Sequence, residues 1–238
     1  MLTLNTFGPT FGIPDASPFC IKAMCLLNMS GAQWQENPNS DSRKAPMQKL
    51  PVLIDGDQTV ADSDSIRLYL QEKTGVDFDR PLSPSNKVVA RALSRMVEEH
   101  LYFCLVFVRW KVDANWQAIK QRFFSELPQP ARMLVPTLVR RSVMSSLSGQ
   151  GIGRFSYSQM LERAEIDLSS IESFIGEGPF LFGSTAVSAD ASVGSVLMSI
   201  AANPAETGLR DRVRGSEILM NYIDTVANEL CPSAKKTI

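Results

Sequence analysis

The sequence has one histidine, four cysteines and no apolar run long enough to cross a membrane. A Ser-His-Asp or Cys-His catalytic site would depend on His100, which lies in the helical stretch Glu98-Glu99-His100-Leu101 with no nucleophile motif nearby. Zinc sites with two histidine ligands are excluded, and no paired CxxC motif replaces them. We therefore expect a structural role for His100 and no bound metal.

The sequence also lacks a marked charge of either sign and the cysteine pattern of a disulfide framework. With 24 basic and 25 acidic residues its net charge is −1, so nothing favours binding to nucleic acid or to an anionic membrane. The first residues form no basic and apolar signal segment, which predicts a cytoplasmic protein. The cysteines are scattered in apolar stretches, which indicates buried, reduced thiols: Cys20, Cys25, Cys104 and Cys231.

The glycine-rich stretch 149–153 follows no strand and lacks the GxGxxG spacing, so we interpret it as a loop between helices and not as a nucleotide cradle.

The first 75 residues alternate between strand and helix patterns. Period-two alternation, turn signals and helix caps predict strands at 2–7, 33–36, 51–54 and 58–61, helices at 17–30 and 62–75, and a loop at 37–49. Asp55-Gly56 is a strong hairpin signal between the last two strands. This order fits a small sheet with helices on its faces.

From about residue 83 only helical patterns remain. Ser83-Pro84 starts a helix that runs through Phe107, and the pattern allows an end there or at Trp110. Further helices are predicted at 114–126, 131–147, 157–176, 188–201 and 215–229. We expect an α/β domain at 1–75, a linker at 76–83 and an all-helical domain at 84–238.

The helix at 17–30 is the element around which the chain is organised. Ser17 suits the N-cap, Pro18 the first helical position and Gly31 the end. The body is apolar on nearly all sides, which is typical of a helix buried between two layers. A helix N-terminus attracts anions, including thiolates, so the Ser17 hydroxyl either caps the helix or donates to a bound thiolate.

Three motifs give the chain a family resemblance when they are taken in order. They are Ser-Pro-Phe-Cys at 17–20, Lys-Leu-Pro-Val-Leu at 49–53 and Ala-Asp-Ser-Asp-Ser-Ile at 61–66. On these motifs the chain resembles the cytosolic glutathione S-transferases. Within that family it is most similar to the branch typified by failed axon connections and the metaxins, which is less securely enzymatic. The resemblance implies a thioredoxin-like N-terminal domain with a mixed four-stranded sheet, followed by a helical-bundle domain.

The resemblance also implies a glutathione site. Pro51 would be cis and would turn the backbone so that Val52, which follows Leu50 and Pro51, pairs with the cysteinyl part of glutathione. Asp62 would bind the γ-glutamyl ammonium, and Ser63 at a helix N-terminus would bind its carboxylate. Ser17 would donate to the sulfur and so lower the pKa of the thiol.

Other expectations follow from the same resemblance. The pocket for the electrophile would lie between the domains, with Phe11, Tyr102, Phe103 and Trp110 as candidates for its lining. The protein is expected to form a homodimer and to use glutathione as co-substrate.

Two alternatives stay open at this level. One is a binding protein that keeps the glutathione pocket without catalysis. The other is a thiol oxidoreductase that uses Cys20, provided that this thiol is accessible.

One segment departs from the family pattern. Val187-Ser-Ala-Asp190 has valine where many members carry a capping hydroxyl, so Asp190 would keep only one half of a capping box.

Overall fold

The structure, a computed structural model, describes residues 1–176 and 178–231. Its strands are β1 (Leu2–Asn5), β2 (Trp34–Asn37), β3 (Val52–Asp55) and β4 (Gln58–Ala61). Its helices are α1 (Pro18–Met29), α2 (Ser63–Thr74), α3 (Pro84–Met96), α4 (Tyr102–Lys111), α5 (Asp113–Phe124), α6 (Ala131–Gln150), α7 (Tyr157–Phe174), α8 (Ser188–Ala201), α9 (Gly208–Arg214) and α10 (Glu217–Glu229).

The four strands form one mixed sheet in the order β2-β1-β3-β4. β1 is parallel to β2, whereas β1 and β3, and β3 and β4, are antiparallel. Leu2 and Leu4 of β1 are buried while Thr3 between them is partly exposed, as the alternation of the sequence predicts. The predicted mixed four-stranded sheet with helices, followed by a helical region, is therefore confirmed.

Helix α1 lies between the sheet layer and the helical region, which explains why it is apolar on all sides. It packs against α2 and against α8, which is itself buried from Ala189 to Ala201. At the far end of α1, the Asn28 side-chain amide donates to the Leu230 carbonyl at 2.8 Å and accepts from the Trp34 indole at 2.9 Å. One asparagine thus ties α1 to β2 and to the segment that follows α10.

The helical region differs from the sequence prediction in two places. The single helix predicted from Ser83 through Phe107 is divided by a turn of wider π-helix at Val97–Leu101 between α3 and α4. The prediction also contained no helix at 208–214, where the seven-residue α9 is capped by the hydroxyl of Thr207. A helix this short gives too few periodic positions to be recognised from its pattern.

Several predicted bounds also differ from the observed ones; β1, for example, ends at Asn5 and not at residue 7, and α7 ends at Phe174 and not at residue 176. Helix α6 continues one turn beyond the predicted residue 147 and ends at Gln150. Asp55 belongs to β3, so the hairpin turn consists of Gly56 and Asp57. The capping expectation for the helix at 188–201 is confirmed: the Asp190 carboxylate accepts from the Val187 N–H at 2.8 Å, and no hydroxyl completes the box.

In the described ranges, no helix is both long and apolar enough to cross a membrane. Nor does any group of three or more histidine, cysteine, aspartate or glutamate side chains in those ranges have the arrangement needed to hold a metal ion.

Candidate active site

Ser17 occupies the N-cap position of α1, but its hydroxyl does not cap the helix. The Ser17 carbonyl accepts from the N–H groups of Cys20 and Ile21, at 3.0 and 3.2 Å, and so begins the helix through the backbone alone. The hydroxyl instead contacts the Cys20 thiol. The interpretation of this side chain as a helix cap is therefore wrong, and the hydroxyl is available to donate to a ligand.

Asp15 is a buried residue whose side chain accepts hydrogen bonds from the backbone of the segment before α1. It is completely buried, and its carboxylate oxygens accept from the backbone N–H groups of Gly8 and Ser17, each at 2.7 Å. The Cys20 thiol contacts the same carboxylate. Burial raises the pKa of the Asp15 carboxyl to about 7, against the opposing effect of these hydrogen bonds.

Arg109 reaches the same segment from α4. Its guanidinium donates to the Ala16 carbonyl at 2.6 Å and to the Ser199 carbonyl at 3.1 Å. The side chain is only 9 % exposed, and this burial lowers its pKa to about 10, so it remains a cation at neutral pH. Arg109 therefore connects the helical region directly to the residue before Ser17.

The segment around the cis proline, Pro51, contacts both the first and the third motif. The Leu50-Pro51 peptide bond is cis, as the resemblance implied. Leu50 and Val52 are buried against Cys20 in the first turn of α1. On the other side, the Pro51 carbonyl accepts from the Asp62 N–H at 3.4 Å. The structure thus brings together the predicted residues 17, 50–52 and 62–63 at one end of the sheet.

The N-terminus of α2 completes this group. Asp62 is exposed, and its backbone has a φ of 80°, which residues other than glycine rarely adopt. One oxygen of its carboxylate caps α2 by accepting from the N–H groups of Asp64 and Ser65, at 2.9 and 3.1 Å. Ser63 is only 2 % exposed, and its hydroxyl has no hydrogen-bond partner in residues 1–176 and 178–231. An unpartnered hydroxyl at a helix N-terminus is suited to binding a carboxylate.

The candidate aromatic residues separate into two groups. Tyr102 packs against Phe19 of α1 with ring centroids 4.8 Å apart, and against Phe103 at 5.2 Å. Trp110, two turns further along α4, packs against Trp116 of α5 at 5.4 Å. Tyr102 and Phe103 therefore lie beside the first turn of α1, whereas Trp110 belongs to a separate aromatic cluster. Phe11 is partly exposed in the loop before α1, with a φ of 52°.

The cysteines are buried, as predicted, and none forms a disulfide within the described part of the chain. Burial raises the pKa of the Cys20 thiol well above its usual value, and the neighbouring Asp15 carboxylate raises it further. The thiol oxidoreductase alternative required an accessible Cys20, and this condition is not met. In the middle of α1, the thiol of Cys25 contacts that of Cys231.

A buried ion pair between Lys22 and Glu98 connects α1 to the helical region. The Lys22 ammonium lies 2.6 Å from Oε1 of Glu98, which also accepts from the Ser192 hydroxyl at 2.7 Å. Lys22 also lies 3.9 Å from the carboxylate of Asp64, the residue after Ser63. This network links α1 both to α2 and to the helical region, since Glu98 and Ser192 come from the latter.

His100 has the structural role expected from the sequence. Its Nδ1 atom lies 2.5 Å from the Asp167 carboxylate of α7. It is outside the group formed by the three motifs.

Sequence reasoning missed three residues of the site: Asp15, Phe19 and Arg109. Phe19 lies inside the motif at 17–20 and Asp15 lies two residues before it, but neither spacing nor residue type gave them a role. Arg109 interrupts the apolar run Leu-Val-Phe-Val-Arg-Trp at 105–110, which is the only signal that it would be buried with a specific partner.

Comparisons with known proteins agree with this geometry. The family model described as the glutathione S-transferase N-terminal domain matches residues 18–116. The chain is 30 % identical over 239 residues to the isoprene-epoxide glutathione S-transferase of Rhodococcus sp. (strain AD45), covering 96 % of this chain and 99 % of that protein. The expected likeness to the metaxins is confirmed at 22 % identity with a Drosophila melanogaster metaxin-1 homolog, over 95 % of this chain and 72 % of that one.

Solved structures share the fold. The β-etherase LigF of Sphingobium sp. strain SYK-6 has a TM-score of 0.71 at 15 % identity, covering 100 % of this chain and 99 % of that chain. A glutathione S-transferase of Methylobacillus flagellatus KT with glutathione bound has a TM-score of 0.61 at 16 % identity, covering 100 % and 98 %. From the identity with the Rhodococcus protein along nearly the whole of both chains, this chain belongs to the glutathione S-transferase family and is a glutathione transferase.

Proposed function

We propose that Ser17 donates its hydroxyl to the glutathione sulfur and so stabilises the thiolate that attacks the electrophile. The observation that carries this proposal is the Ser17 hydroxyl itself, which stands at the N-terminus of α1 and is not used as a cap. A hydrogen bond to the charged sulfur, together with the field of the helix, lowers the pKa of the bound thiol. The hydroxyl contacts the Cys20 thiol, so a contact with sulfur is compatible with its position.

The rest of glutathione would lie along the three motifs. In this proposal the backbone of Val52, with Leu50 and Pro51 before it, pairs with the cysteinyl residue. Ser63, the first residue of α2, binds the γ-glutamyl carboxylate, and its unpartnered hydroxyl supports this role. One oxygen of the Asp62 carboxylate caps α2, which leaves the other for the γ-glutamyl ammonium.

For the electrophile we propose a small epoxide. The support is the Rhodococcus relative, whose name specifies isoprene epoxide. The lining would come from Phe11, Tyr102 and Phe103, because the last two lie beside Phe19 and hence near the start of α1. Trp110 would contribute from a greater distance, since it packs on α5.

We further propose a cytoplasmic homodimer. Exposed apolar side chains on α2 and α3 support the dimer: Leu68 is 56 % exposed and Val88 is 70 % exposed. Sedimentation of the wild type and of Leu68→Glu tests it. A dimer that dissociates in the variant is expected, whereas a wild type that is monomeric at all concentrations would refute the proposal.

The experiment that tests the site is glutathione binding by calorimetry, with turnover of an epoxide and of an aromatic halide followed in the same samples. We expect the wild type to bind and turn over, Ser17→Ala to bind with little turnover, and Ser63→Ala to bind weakly. Wild-type binding without turnover of either electrophile would remove the proposed substrate class. Wild-type turnover that Ser17→Ala leaves unchanged would remove Ser17 from the mechanism.

A further inference from the structure

The peptide bond between Ala16 and Ser17 is hydrogen-bonded on both sides by buried ionisable side chains, Arg109 and Asp15. Its carbonyl accepts from the Arg109 guanidinium at 2.6 Å, and its N–H donates to the Asp15 carboxylate at 2.7 Å. The carbonyl and N–H of a trans peptide point in opposite directions, so the two side chains bind opposite sides of the same unit. The pairing also matches the dipole of the peptide, because the Arg109 cation faces the oxygen and an acceptor oxygen of Asp15 faces the N–H.

This arrangement leaves Ser17 few degrees of freedom. Rotation of the Ala16–Ser17 peptide would break one or both of the charged hydrogen bonds. On the other side of the residue, the Ser17 carbonyl is fixed by the N–H groups of Cys20 and Ile21. With the backbone held on both sides, only the side-chain torsion can move the hydroxyl, and that torsion has three staggered positions.

Packing alone does not account for Arg109. Its side chain is almost completely buried, no carboxylate of the described residues forms a salt bridge with it, and its Nε–H has no partner there. Removing a guanidinium from water under these conditions is costly, and an apolar side chain of similar size would fill the space without that cost. What the arginine adds is a charged hydrogen bond to the residue before Ser17.

We propose that Asp15 and Arg109 are positioning residues that fix the Ser17 hydroxyl for thiolate stabilisation by clamping the Ala16–Ser17 peptide. The inference rests on the proposed role of Ser17. Because Arg109 comes from α4, it makes thiol activation at the start of α1 depend on the docking of the helical region. Neither residue needs to contact glutathione for this role.

The test measures the ionisation of the bound glutathione thiol, from its thiolate absorbance against pH, together with kcat/KM. The variants are Asp15→Asn, Arg109→Met, Arg109→Lys and Ser17→Ala, with Arg214→Lys as the matched control. Arg214 also donates to a backbone carbonyl, that of Ala201 at 2.7 Å, but not to the segment before α1. Affinity for S-methylglutathione, which has no ionisable thiol, reports whether the rest of the binding site is intact.

We expect Asp15→Asn and Arg109→Met to move the pKa of the bound thiol toward the ordinary cysteine value of about 8.5. Displacing the hydroxyl should lower kcat/KM at neutral pH by about tenfold to a hundredfold. Affinity for S-methylglutathione should not change. Arg109→Lys should recover part of the loss, because an ammonium can still donate to the Ala16 carbonyl, and Arg214→Lys should behave as the wild type.

The outcomes separate the clamp from the proposed function. If Ser17→Ala shifts the thiol pKa but Arg109→Met and Asp15→Asn do not, the clamp is refuted and the role of Ser17 stands. If Ser17→Ala has no effect, both are refuted. An equal loss of S-methylglutathione affinity in the Arg109 and Asp15 variants would assign these residues a structural role only. Should the arginine variants fail to fold, the nearly isosteric Asp15→Asn decides the question alone.

Discussion

Lys22 and Glu98 form an ion pair across the interface between α1 and the helical region, with 2.6 Å between Nζ and Oε1. Their side chains are only 3 % and 4 % exposed. Lys22 is one of the few polar residues of α1. The packing of the helices places its ammonium beside the carboxylate of Glu98, which belongs to the turn between α3 and α4. Such a pair contributes little net stability compared with apolar residues, but a single unpaired charge left behind is expensive.

We therefore expect Lys22→Met to lower the free energy of unfolding, because it removes the closest cation of the buried Glu98 carboxylate. The loss should stay below the cost of a fully unpaired buried charge, about 3–5 kcal/mol, because Arg95 remains 3.1 Å from Glu98 and the Ser192 hydroxyl still donates to it. The double variant Lys22→Met/Glu98→Leu should recover much of that loss. Denaturant unfolding measures both. The surface pair Lys87–Asp77, with side chains 43 % and 45 % exposed, is the control, and its disruption should cost less than about 1 kcal/mol. Equal losses in the two pairs would contradict the argument.

Ser17→Ala should separate activity from stability. Since the hydroxyl does not cap α1, its removal should not incur the loss of about 1 kcal/mol expected for an N-cap. Turnover of glutathione with an electrophile should fall by about a hundredfold or more if the hydroxyl stabilises the thiolate. Thermal unfolding and steady-state kinetics on the same preparation give both quantities. A less stable protein with unchanged turnover would restore the cap interpretation.

Ser63→Ala should weaken glutathione binding without unfolding α2. A hydrogen bond to a charged carboxylate is worth about 1.5–3 kcal/mol, which corresponds to a roughly tenfold to hundredfold weaker Kd. Ser65→Ala is the matched control, because this residue lies on the same first turn but is exposed. Calorimetric titration with glutathione compares the two. Equal affinities in both variants would exclude the Ser63 hydroxyl from the site.

Stability should depend on pH through Asp15. The pKa of this carboxyl is about 7 in the folded protein against an ordinary value of 3.8, so between these values the folded chain holds a proton that the unfolded chain has lost. The free energy of unfolding should therefore fall as pH rises from about 4 to 7, by at most about 1.4 kcal/mol per pH unit from this group. The charged or ionisable neighbours of Asp15 are Cys20, Glu36 and Arg109.

Asp15→Asn isolates this contribution, because asparagine is close in shape to the protonated carboxyl and does not titrate. Denaturant unfolding at several pH values should show a smaller decline for the variant than for the wild type. Parallel curves for the two proteins would mean that the Asp15 pKa is not raised in the folded state.

Residue patterns were sufficient to predict most local elements and the family. Strand alternation in β1, the Ser-Pro start of α1, the Asp-Gly turn and the cap of α2 all depend on a few neighbouring residues, so the pattern could be recognised. The three motifs likewise predicted which residues assemble at one end of the sheet. Local preference was not enough at Ser17, where the residue type suited a cap but the backbone carbonyl and Asp15 took over the bonding.

Contacts between residues that are distant in sequence could not be predicted in this way, because they depend on how the elements pack. Arg109 is 93 residues from Ala16 in sequence, and Glu98 is 76 residues from Lys22, and no periodic pattern encodes either contact. From the sequence, Tyr102, Phe103 and Trp110 of α4 were equal candidates for the wall of a pocket. The structure separates them, because Tyr102 packs against Phe19 whereas Trp110 packs against Trp116. Residue type and spacing specify which element forms, whereas the partner of a buried charge depends on which elements pack together.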